Sequence, residues 1–149
     1  MKLAHLVAGC LPLLGQAPRV SSVTKAPGEK VRLEIAANSQ PGRAPVALKW
    51  EVVFPAQLME MESDAEAGSA AIDSGKSLQC TPLRSYSYAC ILSGGQNPIA
   101  DGPIAIFHFK ILTTAAPGTI ALRIERVEAT TVDSKHWSLN NTEAAVIIR

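Results

Sequence analysis

Apolar and polar residues alternate along most of the chain. Leu48, Trp50 and Val52 share one face of an extended segment, whereas Lys49 and Glu51 share the other face. An alternation with a period of two is typical of strands that are buried on one side only. The chain is therefore predicted to consist mainly of strands that cover a common core.

The alternation predicts about eight or nine short strands. Its clearest segments are 30–35, 46–54, 58–63, 77–82, 88–93, 103–112, 120–125 and 144–148. A short helix is predicted within Asp64–Ser74, and Asp133–Glu143 is predicted to be a polar connection. Turn sequences such as Pro27-Gly28 separate the strands, because proline presets φ and glycine tolerates a positive φ. This spacing favours an all-β fold, a two-sheet antiparallel sandwich in a single domain.

The first 17 residues have the pattern of an export leader. Lys2 precedes an apolar stretch that ends before Gly15-Gln16-Ala17, a small-x-small sequence of the kind that signal peptidases cut. The segment Val7–Cys10 also matches a lipoprotein box, in which Cys10 would carry the lipid. A third alternative is an apolar tail that is disordered or forms a strand. We predict a leader over 1–17 and a folded domain over 18–149.

Two of the three cysteines fall in the two strands of a predicted hairpin. If Cys80 and Cys90 lie opposite each other, the turn centres on Ser85 and its tip is Leu83–Ser87. The disulfide would contribute about 3 kcal/mol on the chain-entropy estimate. It would persist only in an oxidising compartment, which agrees with export. The alternative is two free thiols in a cytosolic protein.

The sequence offers little for catalysis or for binding nucleic acid. The net charge is +1, so no electrostatic reason favours a nucleic-acid partner. Gly75-Lys76-Ser77 lacks the earlier glycine that a phosphate-binding loop needs. His108 and the pair Glu60 and Glu62 are interpreted as exposed strand residues. No catalytic residue, metal site or cofactor is predicted, and the protein is not expected to be an enzyme.

Four segments together carry a resemblance to a known family. They are Ala26–Leu33, Val46–Pro55, Ile99–Ile111 and Ala115–Leu122. The first is similar to a Pro-Gly-Glu turn before an alternating strand, and the third to a glycine-started strand with a Phe-Lys-Val-like end. In this order they resemble the cohesin domain of bacterial polysaccharide-degrading systems. The resemblance spans residues 18–149.

The resemblance implies a nine-stranded jelly-roll sandwich without catalytic residues. A cohesin docks a dockerin module, whose own loops hold calcium, on one flat sheet face. The residues that this would place on the face are Lys49, Glu51, Tyr88, Arg123 and Glu125. The implied setting is bacterial and extracytoplasmic: a secreted, periplasmic or surface protein in polysaccharide degradation or surface assembly. The Cys80 and Cys90 pair is not a general feature of that family.

Two other functions stay open from the sequence. A carbohydrate-binding module would bind polysaccharide directly through a flat strip of exposed rings, for which Tyr86, Tyr88 and Trp137 are the candidates. A structural or assembly subunit would instead pair through its edge strands.

Overall fold

The structure, a computed structural model, describes residues 10–12, 21–40 and 42–149. Strands dominate these residues, as the alternating pattern predicts, and one short helix interrupts them. In chain order the elements are β1 (Cys10–Pro12), β2 (Ser21–Lys25), β3 (Lys30–Ala37), β4 (Ala47–Val53), β5 (Met59–Met61), β6 (Glu66–Ala67), α1 (Ser69–Asp73), β7 (Ser77–Arg84), β8 (Ser87–Ser93), β9 (Gly102–Ile111), β10 (Gly118–Thr130), β11 (His136–Leu139) and β12 (Thr142–Ile148).

The strands form two sheets. The five-stranded sheet has the order β1-β3-β9-β5, and β6 also pairs with β9. The seven-stranded sheet has the order β2-β12-β10-β4-β8-β7, and β11 also pairs with β10. All of these pairs are antiparallel except β1 with β3 and β2 with β12. The predicted two-sheet sandwich is confirmed, with parallel pairing confined to the two N-terminal strands.

The core lies between the sheets and is built from alternate strand positions. Trp50 from β4 and Phe107 and Phe109 from β9 are among the largest fully buried side chains. The rings of Phe54 and Phe109 have centroids 5.3 Å apart. Burying one such side chain stabilises the fold by about 1.5–3 kcal/mol. Both Trp50 and Phe107 therefore lie on the core side of their alternating strands.

The helix is shorter than the segment in which it was predicted. It spans Ser69–Asp73 and buries Ala70 and Ala71. It begins directly after Gly68, which lies so close to β9 that a Cβ there would be 2.4 Å from the carbonyl carbon of Pro103. The small side chains of this segment therefore allow one helical turn to rest on the sheet.

Two connections differ from the prediction. The polar segment 133–143 contains a strand, β11, which pairs with the second half of β10. Its polar side chains obscure the alternation, because only Trp137 and Leu139 turn toward the core. The turn of the β7–β8 hairpin is also tighter than predicted: Arg84 pairs with Ser87, and a register shift between Pro82 and Arg84 accommodates the extra residue.

Part of the predicted leader is described. Cys10–Pro12 forms β1, which runs parallel to β3 at the edge of the five-stranded sheet. This is the behaviour expected of a strand-forming tail, the third alternative for this region. Residues 1–9 and 13–20, which hold the rest of the leader and the small-x-small sequence, lie outside the described residues. Within the described part of the chain, no helix has the length and apolar character needed to span a bilayer.

Candidate docking face

The outward side of β10, β4, β8 and β7 forms one continuous surface, called here the outer face. Register places Glu125 of β10 opposite Glu51 of β4, and Glu51 opposite Ala89 of β8. One step along, Lys49 lies between Glu128 and Ile91. The outer face is therefore charged on β10 and β4 and becomes apolar toward β8.

The charged part of the outer face is arranged in pairs. Arg123 lies 3.3 Å from Glu125, and Arg126 lies 3.3 Å from Glu51. The two arginine side chains are 52% and 77% exposed, whereas the carboxylates are 25% and 23% exposed. A surface ion pair contributes only about 0–1 kcal/mol to stability. These pairs therefore set the charge pattern that an approaching protein meets, more than they hold the fold together.

A bulge in β10 gives the outer face one extra arginine. The register with β4 shifts between Glu125 and Glu128, and Arg126 has a φ of 52°. That backbone region is uncommon for a residue with a Cβ atom. A bulge re-aims the side chain of the extra residue, and here Arg126 turns outward and pairs with Glu51 of the neighbouring strand. Sequence alternation alone does not reveal it.

The apolar part of the outer face lies on the β7–β8 hairpin. Ile91 is 45% exposed and Leu83 is 51% exposed. Both line a shallow depression of about 710 Å³ that also includes Ala89. Large apolar side chains grouped on a surface mark sites of protein contact more often than isolated ones do. These two residues were not identified from the sequence, because Ile91 lies between the apolar Cys90 and Leu92 and Leu83 follows Pro82, so alternation does not mark either one as outward.

Four of the five residues named from the resemblance share the outer face: Lys49, Glu51, Arg123 and Glu125. Tyr88 does not. It is in register with the buried Val52, and its ring stacks on Phe54 with centroids 6.0 Å apart. Alternation in β8 places Tyr88 on the same side as the buried Cys90, so its ring belongs to the inner side of the sheet.

A disulfide fastens the edge of this sheet. Cys80 of β7 and Cys90 of β8 lie opposite each other and are bonded, with an S–S distance of 2.08 Å. Cys90 is 1% exposed and lies beside Trp50 in register. The predicted pairing and register are confirmed. The bond holds β7, the last strand of the sheet, against β8 beneath the apolar part of the outer face.

The remaining candidates for chemistry have structural explanations. Lys76 is 6% exposed, and its Nζ donates a hydrogen bond of 2.7 Å to the carbonyl oxygen of Gly94. Burial lowers the pKa of this amine. Lys76 thus anchors the connection after β8. His108 lies 3.4 Å from Glu66 on the outside of the other sheet, and no group of three potential metal ligands occurs among the described residues.

The aromatic strip considered for carbohydrate binding is not formed. Tyr86 lies at the tip of the β7–β8 hairpin, near the end of β4 that carries Val53. Trp137 pairs with Ala129, which is opposite Leu48 at the other end of β4. At about 3.3 Å per residue the two rings are separated by roughly 16 Å or more along the strands. With Tyr88 facing inward, the three rings share no plane.

Fold and strand register together define a class of architecture, the cohesin-type jelly-roll sandwich. No family model and no curated protein matches the sequence, but solved structures match the fold. The sixth cohesin of scaffoldin B from Acetivibrio cellulolyticus, solved in complex with a dockerin, is 15% identical with a TM-score of 0.74 and covers 93% of this chain and 99% of that chain.

Two further structures show the same likeness. A cohesin of OlpA from Clostridium thermocellum, also in a dockerin complex, is 14% identical with a TM-score of 0.74, over 87% of this chain and 96% of that one. A non-cellulosomal cohesin from the archaeon Archaeoglobus fulgidus is 13% identical with a TM-score of 0.66, over 94% and 90%. The resemblance stated from sequence is thereby confirmed at the level of the fold.

Proposed function

We propose that this chain is a non-catalytic binding module that docks a dockerin-type protein on its outer face. The observation that carries this proposal is the combination of a cohesin fold with a flat sheet surface on which paired charges border an exposed apolar patch. Protein interfaces typically have a desolvated apolar centre and a polar rim. Ile91 and Leu83 fit the centre, and the pairs made by Arg123 and Arg126 fit the rim.

The proposed setting is extracytoplasmic. The Cys80–Cys90 disulfide supports this, because such bonds persist in oxidising compartments. The leader-like segment 1–17 supports it independently, whether the chain is cut after Ala17 or lipidated at Cys10. In such a place the module would attach a dockerin-bearing protein to a secreted or surface assembly. No cofactor of its own is proposed, and any calcium would belong to the partner.

A binding assay with dockerin modules tests the proposal. The chain is immobilised, and a panel of purified dockerins is passed over it with calcium and again with a chelator. We expect at least one dockerin to bind, and its binding to be lost when the chelator unfolds its calcium loops. If the whole panel fails to bind in the presence of calcium, the proposal is wrong.

Two matched substitutions locate the surface. Ile91→Glu places a charge on the outer face beside Lys49, and Ile106→Lys places one on the opposite sheet beside Glu34 and Glu66. We expect Ile91→Glu to weaken dockerin binding at least tenfold, because a docked partner would bury the new carboxylate. Ile106→Lys should leave the affinity unchanged. Equal losses in both variants would place the interface elsewhere.

A further inference from the structure

One end of the sandwich carries a second pocket, which meets the depression of the outer face at Leu139. It lies between the β3–β4 connection and the β10–β11 hairpin and has a volume of about 580 Å³. Ser39, Gln40 and Arg43 line it from one side, and His136 and Trp137 line it from the other. None of the side chains proposed to contact a docked partner (Ile91, Leu83, Arg123 and Arg126) lines this pocket.

Trp137 provides a fixed aromatic wall. It pairs with Ala129 in register, and part of its side chain packs against the core while the rest lines the pocket. His136 beside it is oriented by a 3.0 Å hydrogen bond between its Nδ1 and Thr130 Oγ1. A ring anchored in this way offers a flat apolar surface at little cost in conformational entropy. Such a surface suits the C–H face of a pyranose.

Polar groups in the pocket are left without partners inside the protein. Within the described part of the chain, the hydroxyl of Ser39 is buried and has no hydrogen-bond partner. The guanidinium of Arg43 makes no ion pair with any described residue. The cations of the outer face differ, because Lys49, Arg123 and Arg126 each have a carboxylate. The guanidinium of the exposed Arg43 is therefore the group available to a ligand in the pocket, whereas the Ser39 hydroxyl is closed off from it.

The charge of the lining favours an anion. Arg43 and Lys135 are cationic, and no carboxylate is among the described lining residues. Two carboxylates that bond to lining residues are themselves engaged: Asp133 accepts from Thr131 and lies 3.6 Å from Lys135, and Asp101 accepts a 2.8 Å hydrogen bond from the backbone of Ser39. Arg43 is therefore the free cation of the pocket, and a guanidinium matches the geometry of a carboxylate.

We propose that this end pocket binds an acidic sugar, a uronate unit of a polysaccharide. The pyranose ring stacks on Trp137, the carboxylate meets Arg43, and the hydroxyls reach the exposed side chain of Gln40. This site is independent of the docking proposal. The module would thus contact anionic polysaccharide directly through one ring and one guanidinium. It would not need the strip of three rings considered above for carbohydrate binding.

Titration of the full chain with trigalacturonate, followed by NMR or calorimetry, tests the site. Cellotriose is the neutral comparison and AMP the comparison for an anion with an aromatic base. We expect trigalacturonate to bind at least tenfold more tightly than cellotriose. Absence of trigalacturonate binding at millimolar concentration overturns the proposal, and so does tighter binding of AMP, which would make the site one for nucleotides.

Substitutions separate the pocket from general charge effects. Arg43→Gln removes the exposed guanidinium and should weaken trigalacturonate binding at least tenfold, whereas Arg123→Gln on the outer face should not change it. Trp137→Ala should abolish binding, and far-UV circular dichroism reports whether that variant still folds. Where it does not fold, the Arg43→Gln comparison decides alone. Equal affinities for Arg43→Gln and the unmodified chain would overturn the proposal, with dockerin binding unaffected in either case.

Discussion

Glu51 and Glu125 lie directly opposite each other on β4 and β10, and each carboxylate has its own arginine. Like charges at opposed positions of a sheet are destabilising. Arg123 neutralises Glu125 from the same strand, and Arg126 reaches Glu51 from the bulge. The bulge therefore supplies the counter-ion that a regular strand would not place there, at the cost of a left-handed backbone at Arg126.

Substitutions at Arg126 should separate the backbone cost from the charge. Arg126→Gly relieves a conformation that costs an L-residue about 1–2 kcal/mol, and it removes a surface pair worth about 0–1 kcal/mol. Stability should stay within about 1 kcal/mol of the unmodified chain or rise. Arg126→Val should destabilise by more, because a β-branched residue tolerates this φ poorly. Urea unfolding measures the stability of both variants. If Arg126→Gly is less stable than Arg126→Val, the assignment of the bulge is wrong.

Removing the cross-strand disulfide should lower stability without changing the fold. The double variant Cys80→Ala, Cys90→Ala removes the cross-link that restricts the unfolded chain. We therefore expect the free energy of unfolding to fall by about 3 kcal/mol. Chemical denaturation with and without reductant checks it. The unmodified chain should lose stability on reduction and the double variant should not. If neither reduction nor the double substitution changes the free energy of unfolding, the bond does not restrain the hairpin.

Alternation made the sandwich and the disulfide register predictable, because both depend on which face of a strand meets the core. The same rule placed Lys49, Glu51, Arg123 and Glu125 outward correctly. It does not reveal Arg126, since a bulge breaks the period of two. Tyr88 was named from the resemblance, and both its alternation with Cys90 and its register with Val52 place it on the inner side instead.

Gly68 should not accept even an alanine. Its φ is −77°, which suits any residue, but an added Cβ would be 2.4 Å from backbone atoms of Pro103. Backbone in β9 cannot move without disturbing its pairing, so we expect Gly68→Ala to cost about 1–3 kcal/mol or more. Gly95→Ala is the matched control, because no atom lies within 4 Å of its added Cβ, although its φ is 64°. Thermal unfolding should show the larger loss for Gly68→Ala.

The N-terminal segment gives a prediction for the mature chain. Cleavage after Ala17 would remove β1 and leave the edge of β3 unpaired, whereas lipidation at Cys10 would begin the mature chain at the first residue of β1. We expect the protein recovered from an exporting bacterial host to have one of these two masses. Intact mass spectrometry distinguishes them. A full-length mass in the extracytoplasmic fraction would instead support the strand-forming tail, and full-length protein retained in the cytoplasm would contradict export.

Glu29 should make stability depend on pH. Its Oε1 accepts a 2.9 Å hydrogen bond from the backbone N–H of Ala26 and lies 3.3 Å from Arg149 Nη2. The hydrogen bond from Ala26, and then Arg149, hold the pKa of this carboxyl below its ordinary value of 4.5. When the folded pKa is the lower one, the unfolded chain takes up the proton first on acidification. The stabilisation from Glu29 is therefore complete above about pH 4.5 and is lost as the pH falls through the folded pKa.

Glu29→Gln keeps a side-chain oxygen that can accept from Ala26 but removes the charge. We expect this variant to be less stable than the unmodified chain at pH 7, and the difference to shrink as the pH falls below about 4.5. Glu60→Gln is the control, because Glu60 is exposed and makes no ion pair with any described residue. Urea unfolding at pH 7 and pH 3 measures both variants. If Glu29→Gln is still less stable than the unmodified chain at pH 3 by the same amount, the charge of Glu29 is not the source of the stabilisation between Ala26 and Arg149.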